Sequence, residues 1–168
     1  LSVKEALASF ELQPEFKIEV LAAEPLVADP VDMEIDEFGR LYVVEMHGYP
    51  LDKTGSGIIK LLSDSNGDGQ MDQSTVFADG LTLPNSIMRW KKGVIITDAP
   101  YLLYFEDTDN DGKANIRDTM LTGFALSNPQ HNLNSPVLGM DNWIYLGHEG
   151  AVATQTYQKE FGDEGTEI

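Results

Sequence analysis

The sequence contains no cysteine, which excludes disulfide bonds, thiolate zinc sites and cysteine nucleophiles. It also lacks any apolar run near the roughly 20 residues that a membrane-spanning helix needs, so we expect no membrane insertion by this chain. Basic residues are scarce, with 11 Lys and Arg against 28 Asp and Glu, a formal net charge of −17. Because nucleic-acid binding needs clustered basic side chains, we expect no nucleic-acid partner.

The acidity has two readings: a generally soluble acidic surface, or a set of metal ligands. Hydrophobic residues make up 42% of the 168 positions and charged residues 23%, which is a globular composition. Spacing favours the ligands, because the acidic loop from Asp64 to Asp72 recurs 43 positions later from Asp107 to Asn115. A turn followed by a β-rich run also recurs, at residues 36–44, 91–97 and 141–146.

Repeats of about 40–50 residues, each holding several short β-rich segments, are typical of propeller blades. We therefore predict an all-β fold, a β-propeller fragment of about two and a half four-stranded blades. The predicted organisation is an N-terminal helix and lead-in strand over residues 1–30, blade 1 over 31–80, blade 2 over 81–127 and a partial blade 3 over 128–168. A complete β-sandwich built from the same strands is the alternative.

Local patterns predict the individual elements. Ser2 and Glu5 form a capping box that predicts a helix over 2–9, and alternating Phe16, Ile18 and Val20 predict the lead-in strand. The blade strands are predicted at 31–35, 40–45, 58–63, 75–78, 86–90, 94–97, 101–105, 119–122, 133–138, 143–147 and 151–157.

Both acidic loops resemble the Asp-x-Asp-x-Asp-Gly pattern that binds calcium through oxygen ligands. The predicted ligands are side-chain or backbone oxygens of Asp64, Asn66, Asp68, Gln70, Asp72, Asp107, Asp109, Asp111, Lys113, Asn115 and Asp118. The first loop has Thr75 where the second has Asp118, so we expect it to be the weaker site. Asp-Gly turns also occur without metal, as plain hairpin turns.

The up-and-down order of strands places both acidic loops at one end of the blades and the histidines at the other. Loops that carry histidine and carboxylates on a rigid scaffold suit proton transfer or metal ligation. The candidates at this end are Glu45, His47, His131, Asn134, His148 and Glu149. His47 or His148 alone is more often a loop histidine with a routine hydrogen bond than a functional group.

The chain resembles the N-terminal propeller of the membrane-bound dehydrogenase family, over roughly residues 1–150. The matching stretches are Ala22-Ala-Glu-Pro25, Asp36-Glu-Phe-Gly-Arg-Leu-Tyr-Val-Val-Glu-Met46, Gly48-Tyr-Pro50, Val76-Phe-Ala-Asp-Gly80, Asn128-Pro-Gln-His131 and Gly139-Met-Asp-Asn-Trp-Ile-Tyr145. That family is similar to the sorbosone dehydrogenases and the soluble quinoprotein glucose dehydrogenases. The latter are six-bladed propellers that use calcium and pyrroloquinoline quinone.

This resemblance implies a role for His131. In the soluble glucose enzymes a histidine eight residues before a Gly-x-Asp-x-x-Ile-Tyr unit is the base that acts on the sugar hydroxyl, and His131 precedes Gly139 by the same eight. The resemblance also implies that the quinone contacts come largely from later blades of a six-bladed parent. Calcium is therefore the cofactor expected of this chain, and the quinone is expected only in the complete protein.

Three functions remain open. The first is part of an exported oxidoreductase that acts on a sugar or other alcohol, and the second is a non-catalytic propeller that binds glycan or protein. The third is a transition-metal site formed by His47, His131 and His148 with Glu45 or Glu149. We expect a periplasmic or secreted location, because calcium loops of modest affinity fill outside the cytosol. The expected partners are the substrate and the remaining blades.

Overall fold

The computed structural model describes residues 1–126 and 129–148, and this part of the chain is almost entirely β. It holds ten strands, a one-turn 3-10 helix at Pro129–His131 and one short α-helix, α1, at Val3–Ala8. The Ser2 hydroxyl accepts from the Glu5 N–H, and the Glu5 carboxylate accepts from the Ser2 N–H. The predicted capping box is therefore confirmed.

The strands form three antiparallel sheets in chain order. Sheet 1 contains β1 Pro30–Ile35, β2 Leu41–Glu45, β3 Gly57–Ser63 and β4 Gln73–Leu81. Sheet 2 contains β5 Ser86–Trp90, β6 Gly93–Asp98, β7 Tyr101–Glu106 and β8 Ile116–Thr122, and sheet 3 contains β9 Asn134–Leu138 and β10 Ile144–Gly147. In sheets 1 and 2 each strand pairs with the next one along the chain, which is the order of an antiparallel meander.

The predicted blade strands match the observed ones closely. Strand β4 extends beyond its predicted bounds at both ends, and β8 begins earlier than predicted. The lead-in strand is a correction: residues 16–20 are not in a hydrogen-bonded strand. A strand requires a partner ladder, and no strand pairs with this segment among residues 1–126 and 129–148. The predicted strand at 151–157 lies outside the described residues.

Sheet 2 is buried on both of its faces. The face towards sheet 1 contributes Ile87, Val94, Ile96, Leu103 and Phe105 to a core completed by Tyr42, Val44, Ile59, Leu61 and Phe77. The opposite face contributes Met88, Ile95 and Leu102 to a second core with Leu133, Ile144 and Leu146 of the sheet 3 region. The sheets therefore stack in series, whereas a two-layer sandwich would bury only one face of each sheet.

Hydrogen bonds between the first strands fix how the sheets are aligned. Asp32 of β1 accepts from the Ile87 N–H at 3.0 Å. Two residues further along each strand, the Glu34 carboxylate lies 3.5 Å from the backbone nitrogen of Arg89. The two strands therefore run in the same direction, and Ser86 of β5 similarly accepts from the Ser135 N–H of β9 at 3.0 Å. These side chains also satisfy N–H groups on sheet edges that no strand among the described residues covers.

Parallel alignment of the sheets gives the molecule two distinct ends. The acidic-loop end carries the β3–β4 loop (residues 64–72) and the β7–β8 loop (107–115). The connecting-loop end carries the β2–β3 loop (46–56), the link into β5 (82–85) and the described residues before β9 (123–126 and 129–133). Within the described residues, the helices are too short and too polar to cross a membrane.

Candidate functional site

The first acidic loop is organised around the Asp64 carboxylate. Its two oxygens accept from the N–H groups of Gly67 at 2.7 Å and Gly69 at 2.8 Å, with a longer contact from Asn66 at 3.2 Å. These backbone donors, that of Gly69 foremost, hold the pKa of Asp64 below its ordinary value. The carboxylate therefore stays ionised at neutral pH, which is the form that could bind a cation.

The second acidic loop repeats this arrangement around Asp107. Its oxygens accept from the Asn110 N–H at 2.7 Å and the Gly112 N–H at 2.8 Å. Partial burial alone would raise the pKa of Asp107, but the Gly112 and Asn110 donors outweigh it and the pKa is lowered. One carboxylate oxygen each from Asp107, Asp109 and Asp111 lie within 4.8 Å of one another, a spacing that suits a shared cation.

The other predicted ligands hold the loops closed or lie apart. Asp72 accepts from the Ser65 N–H at 3.0 Å and from its hydroxyl. At the same place in the second loop, Asn115 accepts from Thr108. The N–H groups of Gln70 and Lys113 donate to Asp68 and Asp111 at 2.8 Å, and the Asp68 N–H donates to Asn66. Asp118 lies on β8 opposite Tyr104, outside the convergent group of three acids.

At the connecting-loop end, Glu45 is the most buried of the predicted residues that the structure describes, with no exposed surface. Its carboxylate lies 3.1 Å from the Lys60 Nζ and 2.8 Å from the donating Ala28 N–H. The His47 Nε2 is 3.0 Å from the same carboxylate, while Nδ1 lies 3.2 Å from Asp29. These contacts satisfy a buried charge that would otherwise be costly, so Glu45 joins β2, β3 and the segment before β1.

Sheet 2 has a buried carboxylate at the corresponding place. Asp98 closes β6, as Glu45 closes β2, and accepts from the Thr82 and Leu83 N–H groups at 2.9 and 2.7 Å. Burial raises the pKa of Asp98, and the two donors only partly oppose it. In both sheets a carboxylate at the end of the second strand therefore anchors the segment that enters the first strand.

The third set of candidates lies where the chain enters and leaves sheet 3. His131 is exposed and ends the 3-10 helix, and the Asn134 amide donates to the Asn132 carbonyl at 2.9 Å. His148 follows β10 with its ring centroid 5.6 Å from that of Phe124. Glu149 lies outside the described residues. In the part of the chain that the structure describes, no three His, Asp or Glu side chains converge around these histidines.

Sequence reasoning missed Lys60, Asp29 and Asn132. A lysine in the apolar run Ile-Ile-Lys-Leu-Leu was a usable signal, since a charged residue within a buried strand needs a partner. Asn132 is 2% exposed, and neither polar atom of its side chain has a hydrogen-bond partner among residues 1–126 and 129–148. No feature of its sequence neighbourhood distinguishes it from an ordinary loop asparagine.

A family model described as a domain of unknown function, DUF7133, matches residues 2–167. The chain belongs to the DUF7133 family. No curated protein and no solved structure matches this DUF7133 chain. Its function must therefore be argued from its two ends, one with paired acidic loops and one with buried carboxylates and exposed loop residues.

Proposed function

We propose that the chain is a calcium-stabilised part of a β-propeller, and that the connecting-loop end of the complete protein carries an oxidoreductase site. The observation that carries this proposal is that the same acidic loop occurs at the same end of two successive sheets. A solvated acidic surface would not require equivalent placement, whereas a repeated metal-binding hairpin does.

The arrangement of the sheets supports a propeller. Sheets 1 and 2 are four-stranded meanders, their first strands run in parallel, and β5 lies between β1 and β9. Stacking meanders with neighbouring first strands is how blades surround an axis. The residue ranges 31–80 and 81–127 then correspond to two blades, and residues from 128 onward begin a third.

The chemistry of the second loop supports calcium. Ca²⁺ takes 6–8 oxygen ligands at roughly 2.3–2.6 Å, and like charges on neighbouring carboxylates repel one another unless a cation offsets them. The first loop replaces the central acid of the trio by Asn66. It would therefore bind calcium more weakly, since affinity in such loops follows the number of charged ligands.

Calcium titration by isothermal calorimetry tests this step. We expect two classes of site, and Asp109→Asn should weaken the tighter class by at least about tenfold, because it removes one of three charged ligands. Glu19→Gln is the matched control, since Glu19 is an exposed acid outside both loops. Absence of any calcium binding at millimolar concentration would refute the proposed role of the loops.

The oxidoreductase part of the proposal assigns His131 as the base that takes the proton of a sugar or alcohol hydroxyl. Its support is the exposure of His131 at the connecting-loop end, where a substrate can reach it, together with the resemblance described above. A neutral imidazole has the proton affinity that such a step requires near neutral pH.

The described residues do not by themselves fit pyrroloquinoline quinone, which carries three carboxylates. Lys60 is paired with the fully buried Glu45 and offers no free positive charge to such an anion. Lys53 is occupied with the Leu126 carbonyl at 3.3 Å. The quinone is therefore proposed only for the complete protein, with its basic contacts supplied from outside these residues.

The activity test uses the complete natural protein with calcium, pyrroloquinoline quinone, a dye acceptor and a panel of sugars and alcohols. His131→Gln should abolish most turnover and leave the calcium titration unchanged, with the exposed Glu19→Gln as the control. Turnover that is equal in the wild type and His131→Gln would rule out His131 as the base.

A non-catalytic role is the second candidate. Tyr49 and Tyr101 are 47% and 42% exposed at the connecting-loop end, and exposed aromatic rings are suited to stacking on sugars or anchoring a protein partner. Glycan binding without turnover would favour this role. In either case we propose a periplasmic or secreted location, because such calcium sites fill at extracellular calcium concentrations.

A further inference from the structure

The two acidic loops contact neighbouring segments through an identical hydrogen bond. Ala114 of the second loop donates its N–H to the Phe77 carbonyl of β4, the outer strand of the preceding sheet, at 2.8 Å. Met71 occupies the same position in the first loop and donates to the Leu21 carbonyl, also at 2.8 Å. Leu21 therefore occupies, relative to sheet 1, the position that Phe77 of the outer strand β4 occupies relative to sheet 2.

The sequence around Leu21 repeats that of β4. Val20-Leu21-Ala22 corresponds to Val76-Phe77-Ala78, at a constant offset of 56 positions. Leu21 and Ala22 cover Leu41, Val43 and Leu62 on the face of sheet 1 that is turned away from sheet 2. Phe77 and Ala78 belong to the core that covers the corresponding face of sheet 2.

The face of sheet 1 that is turned away from sheet 2 is only partly covered among the described residues. The equivalent face of sheet 2 is covered by sheet 1. Met33 pairs with Val43 in sheet 1 as Ile87 pairs with Ile96 in sheet 2. Ile87 is 4% exposed because sheet 1 packs on it, whereas Met33 is 56% exposed. Ile35 lies on the same face as Met33, since it pairs with Leu41 as Met33 pairs with Val43, and it is 59% exposed. Met33 and Ile35 therefore leave an apolar strip of β1 uncovered among the described residues.

From these equivalences we propose that residues 17–22 form the outer strand of a further antiparallel sheet, whose three inner strands lie outside the described residues. That sheet would pair with the open edge of residues 17–22 and pack its apolar face on Met33 and Ile35. The contact between sheets 1 and 2 is the pattern for this interface, and the new contact continues it on the other side of sheet 1. The inference rests on the proposed blade arrangement but not on calcium or on His131.

Such a strand has no partner in residues 1–126 and 129–148, which explains why the alternation of Phe16, Ile18 and Val20 does not produce a strand there. Phe16 and Ile18 remain 72% and 38% exposed. Edges and apolar faces of this kind are sites of strand addition, and the occupant that fits is a three-stranded sheet lacking its own outer strand.

Hydrogen exchange with mass spectrometry on the complete natural protein tests the pairing. Peptides covering residues 17–22 should exchange at least about 100-fold more slowly than those covering 10–15, approaching the protection of β4, because paired strand amides open only with the fold. In the 168-residue chain alone the same amides should exchange quickly. Equal, fast exchange of 17–22 in both proteins would overturn the proposal.

Met33→Asp tests the face. In the complete protein it should lower the melting temperature, as Ile87→Asp should at the buried counterpart, whereas Leu51→Asp should not, since Leu51 is 88% exposed in the β2–β3 loop. A melting temperature unchanged by Met33→Asp would overturn the proposal. So would a complete protein that self-associates until Met33→Asp makes it monomeric, because the occupant would then be a second copy. Calcium titration reports separately on the loops, so failure of one proposal leaves the other measurable.

Discussion

At the residue scale, buried carboxylates mark the connecting-loop end more clearly than the histidines do. Glu45 has no exposed surface and contacts Lys60, His47 and the Ala28 N–H. We expect Glu45→Ala to lower the free energy of unfolding by about 3 kcal/mol, because it leaves Lys60 as a partly buried charge without its partner. Urea unfolding measures this, with the exposed Glu19→Ala as control. A change below about 0.5 kcal/mol would mean that the network contributes nothing to stability.

Asp98 gives a prediction about pH. Because burial raises its folded pKa above the unfolded value, the folded state binds the proton more tightly than the unfolded state. Its contribution to stability is therefore full below the ordinary value of 3.8 and is lost as pH rises through the folded pKa. We therefore expect the wild type to lose stability relative to Asp98→Asn as pH rises across this window. Urea unfolding from pH 3 to 8 measures the difference in unfolding free energy between the two proteins. A difference that does not vary with pH would contradict the raised pKa.

The sequence could indicate the residues at these positions but not their contacts. Glu45 and His47 are recognisable as polar residues that follow an apolar strand, and the structure places them within hydrogen-bond distance. Lys60 could not be paired with Glu45 in advance, because that contact depends on the register between β2 and β3 and on which face each side chain takes. A slip of one residue would have turned Lys60 to the other face.

At the element scale, Gly93 at the start of β6 shows how closely the strands of sheet 2 approach. A Cβ at Gly93 would lie 2.2 Å from the Phe105 carbonyl oxygen and 2.9 Å from the Tyr104 ring. We expect Gly93→Ala to destabilise the protein by about 2 kcal/mol through overpacking, measured by thermal or urea unfolding. The neighbouring Lys92→Ala is the control, since Lys92 is exposed in the turn. Equal stability of the two variants would show that β6 and β7 can separate without cost.

Alternation and turn residues were sufficient to predict the strands of sheets 1 and 2 from the sequence, because each pairs with its neighbour in the chain. The segment around Ile18 carries the same alternation but is not a strand among the described residues. Local pattern determines which residues can be extended, while pairing depends on a partner that the pattern does not specify. The stacking of sheets in series also depends on partners, because each apolar face of sheet 2 needs a neighbouring sheet to cover it.

At the scale of the whole molecule, the formal net charge of −17 produces a general repulsion that screening should reduce. Raising NaCl should therefore raise the melting temperature in the absence of calcium.

Calcium at low millimolar concentration should raise the melting temperature further than magnesium at equal ionic strength. A site filled to about 100 times its Kd adds about 2.7 kcal/mol, and each kcal/mol corresponds to roughly 2–4 °C in a domain of this size. Asp109→Asn should remove most of the calcium-specific increment and keep the response to NaCl, because it changes one loop and hardly alters the total charge. If calcium and magnesium stabilise the wild type equally, the acidic loops act only as part of a charged surface, and the repeated hairpins owe their shape to their own Asp–amide hydrogen bonds.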